Sequence, residues 1–134
     1  MYATLVTIDN AEGFKGEKYA GDQISPILVE DLINKLDGEK HTLVTLTPGG
    51  EEHMAIGGDA RVGLIVYETP DNLSFNNLLS SEPDSHETVS LVIGGQPGEY
   101  QRRYLVDARQ AIAAAKEYAI AGTLPPELPW EHDA

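Results

Sequence analysis

Four histidines, three serines in an acidic stretch, three glycine pairs and one pair of adjacent glutamates are the residues of this chain whose types could support chemistry. His41, His53, His86 and His132 offer nitrogen ligands, but a transition-metal site needs them at three- or four-residue helical spacing or joined by cysteines. No two stand at that spacing, there is no cysteine, and no HExxH motif occurs. They read as surface or strand-edge residues, and no metal is expected. Ser80, Ser81 and Ser85 lie near His86 and several acids, the residue types of a nucleophile and its base. They lack the GxSxG strand-to-helix setting that exposes a serine nucleophile, so a hydrolase working through Ser81 and His86 is the weakest functional reading.

Gly49-Gly50, Gly57-Gly58 and Gly94-Gly95 are the residue type that cradles phosphate, yet none is followed by the lysine and hydroxyl residue of a P-loop. The run Gly57-Gly58-Asp59-Ala60-Arg61-Val62-Gly63 lies between two apparent strands rather than opening a helix. All three pairs are expected in hairpin turns. Glu51 and Glu52 would point to opposite faces of a strand and cannot share a proton. No catalytic residue and no cofactor is expected, and the chain reads as a non-enzyme.

The elements that carry these residues follow from hydrophobic spacing. Residues 2–8 alternate and predict a first strand; residues 10–23, with Gly13, Gly16 and Gly21, predict a loop. Ser25 caps a first helix with Pro26 in its first turn, Ile24 and Val29 at the staple positions, and Leu28, Leu32, Ile33 and Leu36 as its buried stripe, ending at Gly38. Strands are expected over residues 41–47, 51–56, 61–67, 88–93 and 99–105, with turns at 48–50, 57–59 and 94–98. Residues 68–87 show no period and predict one long loop, a kind of segment that is often functional.

The last thirty or so residues carry the sharpest punctuation. Asp107 is the expected N-cap of a second helix, with Gln110 three positions on. Gly122 is its stop, Pro125 prevents resumption, and Pro125, Pro126 and Pro129 stiffen the path to the single tryptophan, Trp130. Ala111, Ala114, Ala115 and Ala119 give that helix a narrow face for close packing, with Ile112 and Tyr118 as bulk. Trp130 is expected to latch the C-terminus over the helix; an exposed interface anchor is the competing reading. These elements give an α+β fold: one domain, residues 1–134, with a mainly antiparallel sheet of about five to six strands and two helices on one face.

Composition narrows the partners. The 134 residues carry a formal charge of −13, which opposes direct contact with nucleic acid or an anionic membrane. No Lys or Arg falls between Arg61 and Arg102, where Glu68, Asp71, Glu82, Asp84, Glu87 and Glu99 all lie. Such a stretch is either a solvated surface or a docking face for a basic partner. No secretory leader or membrane-length apolar run is visible, and a soluble, cytoplasmic protein is expected.

Specific strings then point to a family. Gly94-Gly-Gln-Pro-Gly-Glu-Tyr100, Tyr104-Leu-Val-Asp-Ala-Arg-Gln-Ala111, Glu117-Tyr-Ala-Ile-Ala-Gly122, Pro125 and Trp130-Glu131 resemble the Imm-one immunity-protein family of bacterial polymorphic toxin systems. Upstream, Ile56-Gly-Gly-Asp59 and Gly63-Leu-Ile-Val-Tyr67 resemble that family's middle strand pair. The resemblance spans residues 25–131 and is most specific in the C-terminal third. It implies a small cytoplasmic α+β protein, encoded beside a toxin, that binds and inactivates the toxin domain. Toxins paired with the family are often nucleic-acid deaminases, whose zinc-activated water sits in a nucleotide-binding cleft. That zinc would belong to the toxin. The family carries no shared inhibitory signature in the acidic loop.

An acidic domain without an active site can fill the basic cleft of a nucleic-acid-processing enzyme by presenting carboxylates where phosphates would sit. Glu68, Asp71, Glu82, Asp84 and Glu87, with Tyr67 or Phe75 as apolar neighbours, are the residues expected to form that face. An acidic binding or scaffold module with no toxin partner is the alternative. Oligomeric state is not legible.

Overall fold

Period-two alternation through the central strands builds one apolar face. Val6, Ile8, Val44, Leu46, Met54, Ile56, Leu64, Val66 and Leu78 are all buried, and alternation turns them to the same side of the sheet. The computed structural model describes residues 1–13 and 15–134, so Phe14, inside the loop expected over residues 10–23, lies outside the described residues. Among the described residues the order is β1 (Leu5–Ile8), β2 (Glu17–Ala20), α1 (Pro26–Asn34), β3 (Leu43–Gly49), β4 (Glu52–Asp59), β5 (Gly63–Thr69), β6 (Phe75–Leu78), β7 (Thr88–Ile93), β8 (Gln96–Gln101), α2 (Ala108–Ala121) and β9 (Trp130–Asp133). Seven strands form one antiparallel sheet in the order β2-β1-β3-β4-β5-β6-β9, and β7 and β8 form a separate pair.

Both helices cover the apolar face. Val29, Leu32 and Ile33 of α1 and Ala111, Ala114, Ala115, Tyr118 and Ala119 of α2 are buried in the same core. The alanines let the α2 backbone approach the sheet closely, and Tyr118 fills the remaining volume. Ser25 Oγ accepts from Leu28 N at 3.1 Å, with Pro26 in the first helical position. In α2, Asp107 accepts from Gln110 N at 2.8 Å, while Gln110 Oε1 accepts from Asp107 N at 3.3 Å. Gly122 closes the helix in the left-handed conformation, φ +72°. The amides of Tyr2 and Ala3 donate to the carbonyls of Ile120 and Ala119, satisfying two acceptors that a helix end leaves open.

The α+β architecture is the one the sequence predicts, with several elements placed differently. β2 lies where a loop was expected. It is an exposed edge strand, so Glu17–Ala20 carries no apolar alternation to reveal it. β6 lies inside the stretch expected as one long loop, and its four residues, two of them asparagines, are held only by neighbours on both sides. Gly57-Gly58 is not a turn but the interior of β4. A Cβ on Gly57 would stand 2.4 Å from Ile93 Cγ2, so this glycine admits the β7–β8 hairpin onto the sheet. The turn falls after Asp59, where Val62 N donates to the Asp59 carbonyl at 3.1 Å. β8 begins at Gln96, within the expected turn, and stops at Gln101, where Arg102–Tyr104 form a 3-10 turn. α1 ends at Asn34, and Gly38 belongs to the turn that follows.

Candidate functional site

The helices leave the opposite sheet face to the β7–β8 hairpin and the 3-10 turn, and beyond them part of that face is open. Cross-strand partners share a face. Ala55, Tyr67, Asn77 and Glu131 are successive partners across β4, β5, β6 and β9, and Phe75 is paired with Asp133. The Tyr67 ring meets Phe75 edge-on at 5.6 Å and His53 at 5.5 Å. These three rings form a half-buried aromatic row.

Hydrogen bonding fixes how the row is held. His53 Nδ1 lies 2.9 Å from the Glu51 carbonyl, which can only accept, so Nδ1 carries the proton. In the neutral ring Nε2 then accepts from the Tyr67 hydroxyl at 3.1 Å. Burial pushes the Tyr67 phenol above its ordinary range, so it stays a donor. At the edge of the row, Glu131 accepts from the Tyr104 hydroxyl at 2.6 Å and lies 3.7 Å from Arg103. The arrangement offers flat aromatic area rimmed by carboxylates, a surface suited to binding.

The residues expected to meet a partner divide between environments. Tyr67 and Phe75 come together on the open face. Glu68, next in sequence to Tyr67, points to the other side; it is 9% exposed and accepts from Asn76 Nδ2 at 2.8 Å. It therefore cannot share the face of Tyr67, because neighbouring strand residues alternate. Asp71 accepts from the amides of Ser74 and Leu73, and these donors hold its carboxyl below the usual carboxylate range. Glu82, Asp84 and Glu87 are exposed on the segment between β6 and β7. That segment is tied to the 3-10 turn: Ser80 Oγ donates to the Arg102 carbonyl, Ser80 N to the Arg103 carbonyl, and Glu87 lies 3.6 Å from Arg102.

The other singled-out residues are spread widely. Trp130 opens β9, packs against the core and donates from Nε1 to the Pro125 carbonyl at 3.0 Å, so the tail is held by joining the sheet edge. His41 bonds the Asp9 carbonyl, and His132 pairs with Asn76 Oδ1. Glu52 accepts from both Tyr2 and Tyr118, while Glu51 is exposed at the turn. Among the described residues no group of three or more His, Asp or Glu is placed to hold a metal ion, and no helix is long and apolar enough to cross a membrane. Sequence reasoning missed His53, Asn77, Glu131 and Asp133 as members of the open face. Nothing local marks them, since β6 and β9 are more than fifty residues apart in the chain.

With this geometry in view, comparison with known families is decisive. The profile of the family described as immunity protein Imm1 matches residues 25–132, from the cap of α1 into β9. The chain belongs to the Imm1 immunity-protein family. The match covers both helices, the hairpin and the sheet from β3 into β9, so the open face lies within the Imm1 region except for Asp133, one residue beyond it. No curated protein matches the chain. As a member of an immunity family, the Imm1 domain has a role in binding a cognate toxin.

Proposed function

We propose that this chain neutralises a basic, nucleic-acid-processing toxin domain, such as a deaminase, by protein–protein contact in the cytoplasm of a bacterium carrying a polymorphic toxin system. The observation that carries the reading is the open aromatic face of an Imm1-family chain whose net charge is −13. Tyr67 and Phe75 supply rigid apolar area, with Glu131 and Asp133 on the same face, and in this reading Asp71, Glu82, Asp84 and Glu87 add negative charge that draws in the partner. Glu68 is left out of the contact because it is buried on the helical side. An enzyme that holds nucleic acid needs a positive cleft, and carboxylates in place of phosphates would steer this domain into it.

Co-expression with the toxin domain encoded next to this chain tests the proposal through growth rescue and co-purification. Rescue by the native chain, lost in Tyr67→Ala/Phe75→Ala with the fold intact, is the expected result. Changing Glu82, Asp84 and Glu87 to their amides should slow association and flatten its salt dependence. A native chain that neither rescues growth nor co-purifies overturns the reading and leaves an acidic binding module.

A further inference from the structure

A concave feature lies at the far end of β4 from His53. A cleft of about 510 Å³ opens between the β7–β8 hairpin, the β4–β5 turn and the turn after α1. Its apolar lining includes Val62, Leu91 and Pro97, and its carboxylates are Asp37, Glu39, Asp59 and Glu99. No Lys or Arg lines it. Val62 is 62% exposed, so its apolar side chain is available at the mouth of the cleft.

The carboxylates are not equivalent. Asp37 Oδ1 accepts from the amides of Glu39, Lys40 and His41 at 2.9 to 3.0 Å, and these donors hold its carboxyl below the usual range. Asp59 is fixed by the Arg61 amide at 2.9 Å, with the largely exposed Arg61 guanidinium 3.5 Å away. Among the ion pairs of the described residues, none includes Asp37, Glu39 or Glu99. The cleft thus has a preset negative charge from Asp37 and Asp59, with Glu39 and Glu99 adding carboxylates, the latter accepting from Ser90 Oγ, beside an apolar lining.

We infer that this cleft receives an arginine side chain presented by a loop of the toxin, as a contact separate from the aromatic row. Apolar lining suits the methylene stem, and planar guanidinium, with five donors, matches several carboxylates at once. Acids already fixed by backbone amides need no ordering when the cation arrives. The volume exceeds one side chain and admits the backbone flanking it. The inference rests on the immunity reading for its partner, while the chemistry of the cleft stands on its own residues.

Two measurements test it. Titrating the ¹⁵N-labelled chain with the tripeptide Gly-Arg-Gly should move the amides of Gly38, Gly58, Val62 and Gly98 together at millimolar peptide, whereas Gly-Glu-Gly should not. The double variant Glu39→Gln/Glu99→Gln, which leaves both backbone-held aspartates in place, should abolish those shifts and weaken binding of the adjacent-encoded toxin about tenfold. Shifts that are absent or scattered over the surface overturn the inference, as does native toxin affinity in the double variant. A native chain that fails to bind the toxin overturns the immunity reading as well, so the two failures are distinguishable.

Discussion

The amide of Gly95, at the tip of the β7–β8 hairpin, donates to Oγ1 of Thr42 at 2.9 Å. Thr42 is fully buried and its hydroxyl in turn donates to Asp9, whose other carboxylate oxygen accepts from the amides of Thr42 and Leu43. One threonine therefore links β1, the entry to β3 and the hairpin that borders both the open face and the acidic cleft.

Thr42→Val keeps the shape but removes both of these hydroxyl bonds, leaving the Gly95 amide and one Asp9 oxygen short of a partner. The expected loss is about 1–3 kcal/mol, read by urea unfolding. Hydrogen exchange at Gly95 should accelerate more than exchange in β4, because the hairpin is released locally.

Tyr118→Phe should cost about 1 kcal/mol, since Glu52 loses one of two phenol donors while the ring still fills the core. Thermal unfolding should register this as a drop of a few degrees. Tyr118→Ala, which also empties the core, should cost about 3–5 kcal/mol. Equal losses in the two variants would contradict the packing role assigned to the ring.

Alkaline pH should destabilise the chain. Burial pushes up the phenols of Tyr118, Tyr67 and Tyr104, and hydrogen bonds to Glu52 and Glu131 add to the effect on Tyr118 and Tyr104. Below pH ~10, the ordinary tyrosine value, folded and unfolded chains are both protonated and the contribution is constant. Above it the unfolded chain loses these protons first, so the folded chain holds more of them and stability falls as pH rises. Unfolding free energy measured from pH 8 to 11 should decline beyond pH ~10, and the decline should be shallower in Tyr118→Phe.

Gly57→Ala should destabilise the fold by about 1–3 kcal/mol, because the added methyl meets Ile93 at 2.4 Å. Combining it with Ile93→Ala should recover part of that loss. A double-mutant cycle with no coupling would separate the two residues and refute the close approach.

The match between sequence and structure was best where the signal is local. Ser25 and Asp107 cap helices whose first-turn amides lie three residues away, and Gly122 supplies a left-handed stop that its own lack of Cβ permits. Thr88–Ile93 was legible because its apolar residues have β-rich neighbours and a glycine turn behind them. Gly57-Gly58 carried a turn signal and proved misleading, since a glycine needed for close approach has the same composition as one needed for a turn.

What the sequence alone determined is therefore the α+β class, the capped helices, the acidic balance and the family strings, all of which are written in neighbours a few residues apart or in composition. The tertiary structure alone decided that β6 pairs with β9, that Glu131 and Asp133 stand beside Tyr67 and Phe75, and that Glu68 does not. Strand pairing is a contact between distant segments, and its register chooses which face each side chain occupies. A shift by one residue would exchange the two faces, so membership of the candidate site exists only once the strands have met.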